Sequence, residues 1–200
     1  MHMKPSCLPF TVNPKRNPTV AYAIGQSMNS KPRHVLEVFL NPGEYYFGDR
    51  KTRMRTILGS CVSMTFWHPR QLMGGMSHIM LPVRPTNRIQ PDVPANAMYA
   101  DEAMELLIKE MKHAGTLPNH YQVKLFGGGD MFPNYKKSKA IEIGLKNIAA
   151  VRAQLDKHGF HSHAEHVGGS GHRYIIFDVW NGNVWVRHHR LPKMDSQNAD

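Results

Sequence analysis

The sequence predicts an α+β fold, an α/β sandwich of packed mixed β-sheets flanked by two main helices. Three observations point there. Short runs rich in β-branched and apolar residues, separated by Gly, Pro and Asn, recur before residue 82 and again after 120. Two longer segments, 96–115 and 138–159, carry apolar residues at helical spacing. An Asn-Gly pair at 181–182 sits between two aromatic-rich runs, as in a closing hairpin. No repeat of 20–50 residues is present, so the strands belong to one sandwich and not to a solenoid or propeller.

Along the chain, residues 1–34 are rich in Pro, Asn, Ser and Lys and read as a flexible arm. "HVLEVFL" at 34–40 alternates as a strand does, and "NPGEYY" after it reads as a turn. In "MRTILGSCVSMTFWH", 54–68, apolar and β-branched residues flank Gly59-Ser60, which predicts strand, tight turn, strand. "MGGMSHIMLP" is a third strand stopped by Pro82. Four prolines between 82 and 95 require a loop.

The segment 96–115 places Ala100, Met104, Leu107, Ile108 and Met111 on one helical face. Asp101 and Glu102 lie near its start, Lys112 and His113 near its end, as the helix dipole favours, and Gly115 is a stop. "YQVKLFGGGDMF", 121–132, is a strand running into a glycine loop, and 138–159 is the second amphipathic helix. The remainder, from His161, reads as a loop followed by the hairpin "YIIFDVW–NGN–VWVRHH". The organisation is thus an arm at 1–34, one domain at 35–190 and a tail at 191–200.

Composition narrows the class. The 200 residues are 41% hydrophobic and suffice for one domain with its own core. No stretch approaches the roughly 20 apolar residues of a membrane-spanning helix, and the N-terminal 20 residues, broken by four prolines, do not form a secretory signal. A cytoplasmic protein without membrane insertion is expected, with Cys7 and Cys61 as free thiols. The formal net charge of +10 favours an acidic partner. The basic residues do not cluster, and no nucleic-acid motif accompanies them, so nucleic acid is not expected.

For chemistry, Cys61 is the residue to weigh. A catalytic thiol needs exposure, ionisation and nearby backbone amides to hold developing negative charge. Gly59 permits a bend that turns successive N–H groups into one space, and His78 follows on a strand after Gly74-Gly75. Were those strands paired, the thiol and the imidazole would come within reach. The same residues also fit a small buried cysteine and a core histidine. His158, His161, His163, His166 and His172 lack third and fourth ligands at metal spacing and read as a polar loop, so no metal is expected. "GGGD" at 127–130 lacks the Gly-Lys-Ser/Thr ending of a phosphate loop and reads as a close backbone approach, as does "VGGSGHR" at 167–173.

The set of segments says more than any one of them. "LGSCV" at 58–62, "GGMSHIMLP" at 74–82, "YADEAM" at 99–104, "KLFGGGDMF" at 124–132, "IGLKN" at 143–147 and "VGGSGHR" at 167–173, in this order, closely resemble the chemoreceptor glutamine deamidase family, CheD. The resemblance covers about 36–190 and implies a cysteine hydrolase that converts glutamine side chains of methyl-accepting chemotaxis receptors to glutamate, releasing ammonia. It implies Cys61 as nucleophile, His78 as general base and then acid, and a threonine on the preceding strand, here Thr56, as third member. It also implies the packed-sheet fold of deamidating toxin domains, no metal or organic cofactor, the receptors' cytoplasmic helices as partners, and a CheC-like phosphatase as a further partner. A non-catalytic module that binds such a phosphatase is the alternative, and methyl ester hydrolysis could run through the same thioester.

Overall fold

The computed structural model describes residues 30–85, 93–133 and 139–191. Cys7, all but the last five positions of the arm read at 1–34, and the tail beyond Leu191 lie outside the described residues.

Among the described residues, nine strands and two α-helices make three layers. One sheet has the order β1-β3-β8-β9, from β1 (Leu36–Phe39), β3 (Thr52–Leu58), β8 (His172–Asp178) and β9 (Asn183–His189). The other has the order β2-β5-β4-β6-β7, from β2 (Tyr45–Gly48), β5 (Met73–Ser77), β4 (Val62–His68), β6 (Gln122–Gly127) and β7 (Ser162–Val167). Each sheet is mixed: β1 runs parallel to β3 and β6 parallel to β7, and the other pairings are antiparallel. Helices α1 (Ala100–His113) and α2 (Lys139–Lys157) cover the outer face of the five-stranded sheet. Among the described residues, no helix is long and apolar enough to cross a membrane.

Two cores hold the layers together. Val62, Met64 and Phe66 of β4 meet Met104 and Leu107 of α1 and Ile148, Val151 and Leu155 of α2. Between the sheets, Met54 and Leu58 of β3 pack with Ile175 and Phe177 of β8 and with Trp67, Met76 and Phe126. Strand β4 is buried at every position because it is the middle of three layers. Period-2 alternation therefore assigns its residues to one core or the other, not to core or water.

Several elements depart from the sequence reading. The 54–68 segment is strand, turn, strand around Gly59-Ser60 as read, and the structure adds that the two enter different sheets: β3 pairs β1 and β8, and β4 pairs β5 and β6. The turn carries the chain from one layer to the next and is not a hairpin. Tyr45–Gly48, with its first two residues read within a turn, is the edge strand β2, and Gly75 of β5 lets it lie close alongside, since a Cβ there would meet Phe47 and the Tyr46 carbonyl. Residues 162–167, read as loop, are the edge strand β7, whose polar alternation reflects one half-exposed face. The third strand stops at Ser77 and continues only as isolated bridges at Ile79 and Leu81. The first helix begins at Ala100, not 96, because the Asn96 side chain accepts the Met98 N–H and holds a turn there. The closing hairpin forms as read, and the Trp67 indole N–H donates to the Val179 carbonyl at its turn.

Candidate functional site

The site lies where the chain crosses between layers. Strand β3 has Met54, Thr56 and Leu58 buried, facing the other sheet, and Thr56 is 0% exposed. After Gly59-Ser60 the chain enters β4. Its antiparallel register with β5 (Thr65 opposite Met76) continues to a bridge between Val62 and Ile79, with reciprocal N–H to O bonds of 2.9 and 2.8 Å. In an antiparallel pair, opposite residues share a face and neighbours along a strand alternate. Val62 and Ile79 face the helices. Cys61 and His78, each one residue earlier, therefore turn to the space between the sheets, where Cys61 packs against that core. The two are diagonal cross-strand neighbours, a spacing that a long side chain such as His can span.

His78 is almost fully buried, and its ring is held from one side. Thr56 Oγ1 lies 2.8 Å from His78 Nδ1 and also 2.8 Å from the Leu40 carbonyl. A carbonyl only accepts, so the hydroxyl proton goes to Leu40 and Thr56 Oγ1 accepts from Nδ1–H. The Leu40 carbonyl, 3.4 Å from Nδ1, favours the same tautomer. Nε2 is then left with a bare lone pair, buried and without a hydrogen-bond partner. The main chain of His78 is fixed as well, by Gly43 N–H to its carbonyl and its own N–H to Glu44.

Cys61 is partly buried. Burial pushes its thiol above the ordinary range, and its own backbone N–H facing the sulfur offsets part of this. Burial likewise holds the His78 imidazole below its ordinary range, opposed in part by the Leu40 carbonyl and the Glu44 charge. Both shifts favour neutral forms, so the resting pair is thiol and imidazole rather than thiolate and imidazolium.

The backbone around Cys61 is pinned from three directions. Gly128 N–H donates to the Cys61 carbonyl and Gly129 N–H to the Gly59 carbonyl, both at 2.7 Å. This is the close approach that the "GGGD" run provides: Gly127 has φ +107°, and a Cβ there would lie 2.2 Å from the Cys61 carbonyl oxygen. From below, Asn147 of α2 donates through Nδ2 to the carbonyls of Ser60 (3.1 Å) and Met80 (2.8 Å). Helix α2 approaches because Gly144 has no side chain: a Cβ there would stand 2.8 Å from the Gly128 carbonyl oxygen.

The fold thus brings together Thr56 and His78 by a direct hydrogen bond and places Cys61 on the same face of the adjoining strand pair. Sequence reasoning missed the Leu40 carbonyl and Asn147. A main-chain acceptor leaves no residue-type signal. For Asn147 the signal was present: a carboxamide at an apolar helix position, in step with Val151 and Leu155. The histidines after 160 serve the β7–β8 region. His163 Nδ1 accepts the Val123 N–H, the buried Arg173 donates to His166 Nδ1, and His172 stacks on His189. Among the described residues, no group of three or more His, Cys, Asp or Glu side chains is arranged to hold a metal ion.

Comparison with known proteins bears on the family. Residues 80–188 match the profile of the family described as CheD chemotactic sensory transduction. The chain is 48% identical over 165 residues, 82% of its length and 91% of the relative's, to the probable chemoreceptor glutamine deamidase CheD of Pseudomonas savastanoi pv. phaseolicola. It is 45% identical over 159 residues (80% and 91%) to the probable chemoreceptor glutamine deamidase CheD 3 of Dechloromonas aromatica. With the CheD 1 protein of that description from Leptospira interrogans, identity is 41% over 162 residues (78% and 95%). On profile and relatives together, the chain belongs to the CheD family.

Proposed function

We propose that this protein is a chemoreceptor glutamine deamidase, hydrolysing side-chain amides of glutamines in methyl-accepting receptors to glutamate and ammonia, with Cys61 as nucleophile, His78 as base and acid, and Thr56 as the residue that orients His78. The observation that carries the residue assignment is the buried, unpartnered His78 Nε2, whose tautomer Thr56 and Leu40 determine. The relatives' names supply the substrate class.

The steps follow from the neutral resting pair. His78 Nε2 takes the thiol proton as sulfur attacks the amide carbon, so a C–S bond forms and the carbonyl π pair moves to oxygen. The tetrahedral intermediate collapses with loss of the C–N bond, and His78 returns the proton to the departing nitrogen, releasing ammonia. Water, deprotonated by His78, then cleaves the thioester to glutamate and free thiol. Each proton taken up is given back, and no redox equivalent is required. Throughout, Thr56 keeps the ring in one orientation and supports the imidazolium that forms, as the third member of a triad does. The net charge of +10 would steer acidic receptor helices toward the enzyme.

The test is mass spectrometry of receptor cytoplasmic fragments incubated with wild type and with Cys61→Ala. Glutamine-to-glutamate conversion at defined positions by the wild type alone supports the reading; equal conversion by Cys61→Ala removes the nucleophile assignment. The CheC-like phosphatase partner belongs to the same reading. If such a phosphatase engages this site, it will protect Cys61 from alkylation.

A further inference from the structure

In a trans peptide the C=O and the following N–H lie in one plane and point in opposite directions. A bond to one therefore aims the other. The Ser60 carbonyl is held by Asn147 Nδ2, so the Cys61 N–H points away from α2. The next peptide is held independently, by Gly128 N–H on the Cys61 carbonyl and by the Val62 N–H on Ile79. Among the backbone groups flanking Cys61, its own N–H is thus fixed in direction, faces its own sulfur, and donates to no main-chain or side-chain oxygen among the described residues. That is the requirement for a preorganised oxyanion donor: available, oriented and already paid for in the ground state.

Asn147 is built for this one task. It is 0% exposed, and both Nδ2 protons are used, on carbonyls at the ends of two different strand segments. Its Oδ1 is buried without a hydrogen-bond partner. An apolar residue would avoid that penalty, so the donor function is what the position needs. The second bond, to Met80, ties the Cys61 segment to the stretch after β5 that carries His78 two residues earlier.

We infer that Asn147 is a positioning residue for the reaction, which by holding the Ser60 carbonyl aims the Cys61 N–H at the oxygen of the substrate acyl group as it becomes an oxyanion. The inference rests on the deamidase reading for its natural substrate, but the device would serve any acyl transfer to Cys61.

The test compares full-length wild type, Asn147→Ala and the near-isosteric Asn147→Asp, each first confirmed as folded by its urea midpoint. Three rates are read: the acylation burst with p-nitrophenyl acetate, alkylation of Cys61 by iodoacetamide (mapped by peptide mass to separate it from Cys7), and receptor deamidation. Alkylation needs thiol and base but forms no oxyanion. Asn147→Ala should slow acylation and deamidation kcat by about 10²-fold, the scale of a lost oxyanion donor. KM and alkylation should stay within about threefold of wild type. Asn147→Asp, with no donor when ionised, should lose as much at pH 8 and recover part of it, relative to wild type, as lower pH restores an O–H.

Equal losses in alkylation and acylation would reduce Asn147 to a structural residue and overturn the inference, as would an unchanged kcat. If Asn147→Ala does not fold, the pH-dependent recovery of Asn147→Asp decides. A wild type that acylates but does not deamidate receptors, with the burst lost in the Asn147 variants, would sink the deamidase reading and keep this one. A wild type in which Cys61 is not acylated at all overturns both.

Discussion

At the scale of single residues, the site depends on a few hydrogen bonds that leave one lone pair free. His78→Ala removes the base and should lower deamidation by about 10²- to 10⁴-fold, measured as kcat on receptor fragments, with little change in KM. Thr56→Val deletes the Nδ1 partner while keeping the volume. It should slow the reaction less, because the Leu40 carbonyl still lies 3.4 Å from Nδ1 and biases the same tautomer. A Thr56→Val enzyme as slow as His78→Ala would show that Leu40 alone cannot orient the ring. The pH profile follows from the shifts: His78 titrates below its ordinary range, so the acid limb of kcat/KM should fall below the usual histidine value of about 6.5. Burial raises the Cys61 thiol, so in a His78→Ala background its alkylation should climb only at alkaline pH. Rapid alkylation of that variant at pH 7 would contradict the neutral resting pair.

At the scale of elements, the glycine loop after β6 and the start of α2 act as one clamp on the Cys61 turn. Gly127 cannot be replaced without cost: its φ is in the left-handed region and a Cβ would strike the Cys61 carbonyl. Gly127→Ala should destabilise the protein by more than the roughly 1–2 kcal/mol of the backbone strain alone, read as a lower urea midpoint, and should reduce activity in the molecules that remain folded. Gly144→Ala acts differently. Its φ is not positive, so the cost is the 2.8 Å contact with the Gly128 carbonyl, which pushes α2 outward and lengthens the Asn147 bonds. Activity should fall further than stability does; a purely thermal effect, with kcat intact below the transition, would separate α2 from the site.

For the whole molecule, histidines kept neutral by full or partial burial set the acid limit. His68, His78, His166 and His188 are each held below the ordinary imidazole value, chiefly by burial, and His188 down to about 4. As pH drops, the unfolded chain takes up these protons first, so stability rises with pH wherever it binds more of them. This contribution is fully present above about pH 6.5 and lost progressively as pH falls toward 4. Urea midpoints measured from pH 8 to pH 4 should therefore decline below pH 6.5. A flat profile across that interval would mean that the four rings are not held neutral in the folded protein. The charge acts at the same scale. Raising ionic strength past about 0.1 M, where the Debye length is near 10 Å, should lower kcat/KM on receptor fragments through KM, leaving kcat in place.

By itself the sequence determined the element types and the residues of interest. Short-range physics carries that information: β-branched runs, helical spacing in 100–111 and 144–155, the Asn-Gly turn, and a cysteine on a Gly-Ser step beside a strand histidine. It did not reveal the edge strands β2 and β7, because an edge strand is defined by its neighbour and needs little apolar patterning of its own. Nor could it show that β3 and β4 enter different sheets, since a layer crossing and a hairpin share the same glycine-bearing turn. That crossing is what sets Thr56 from one sheet against His78 from the other, with Cys61 beside them. The Leu40 carbonyl and the Asn147 carboxamide complete the site from 16 and 87 residues away from Thr56 and Ser60. Contacts at such separations depend on how layers stack, and only the packed structure decides them.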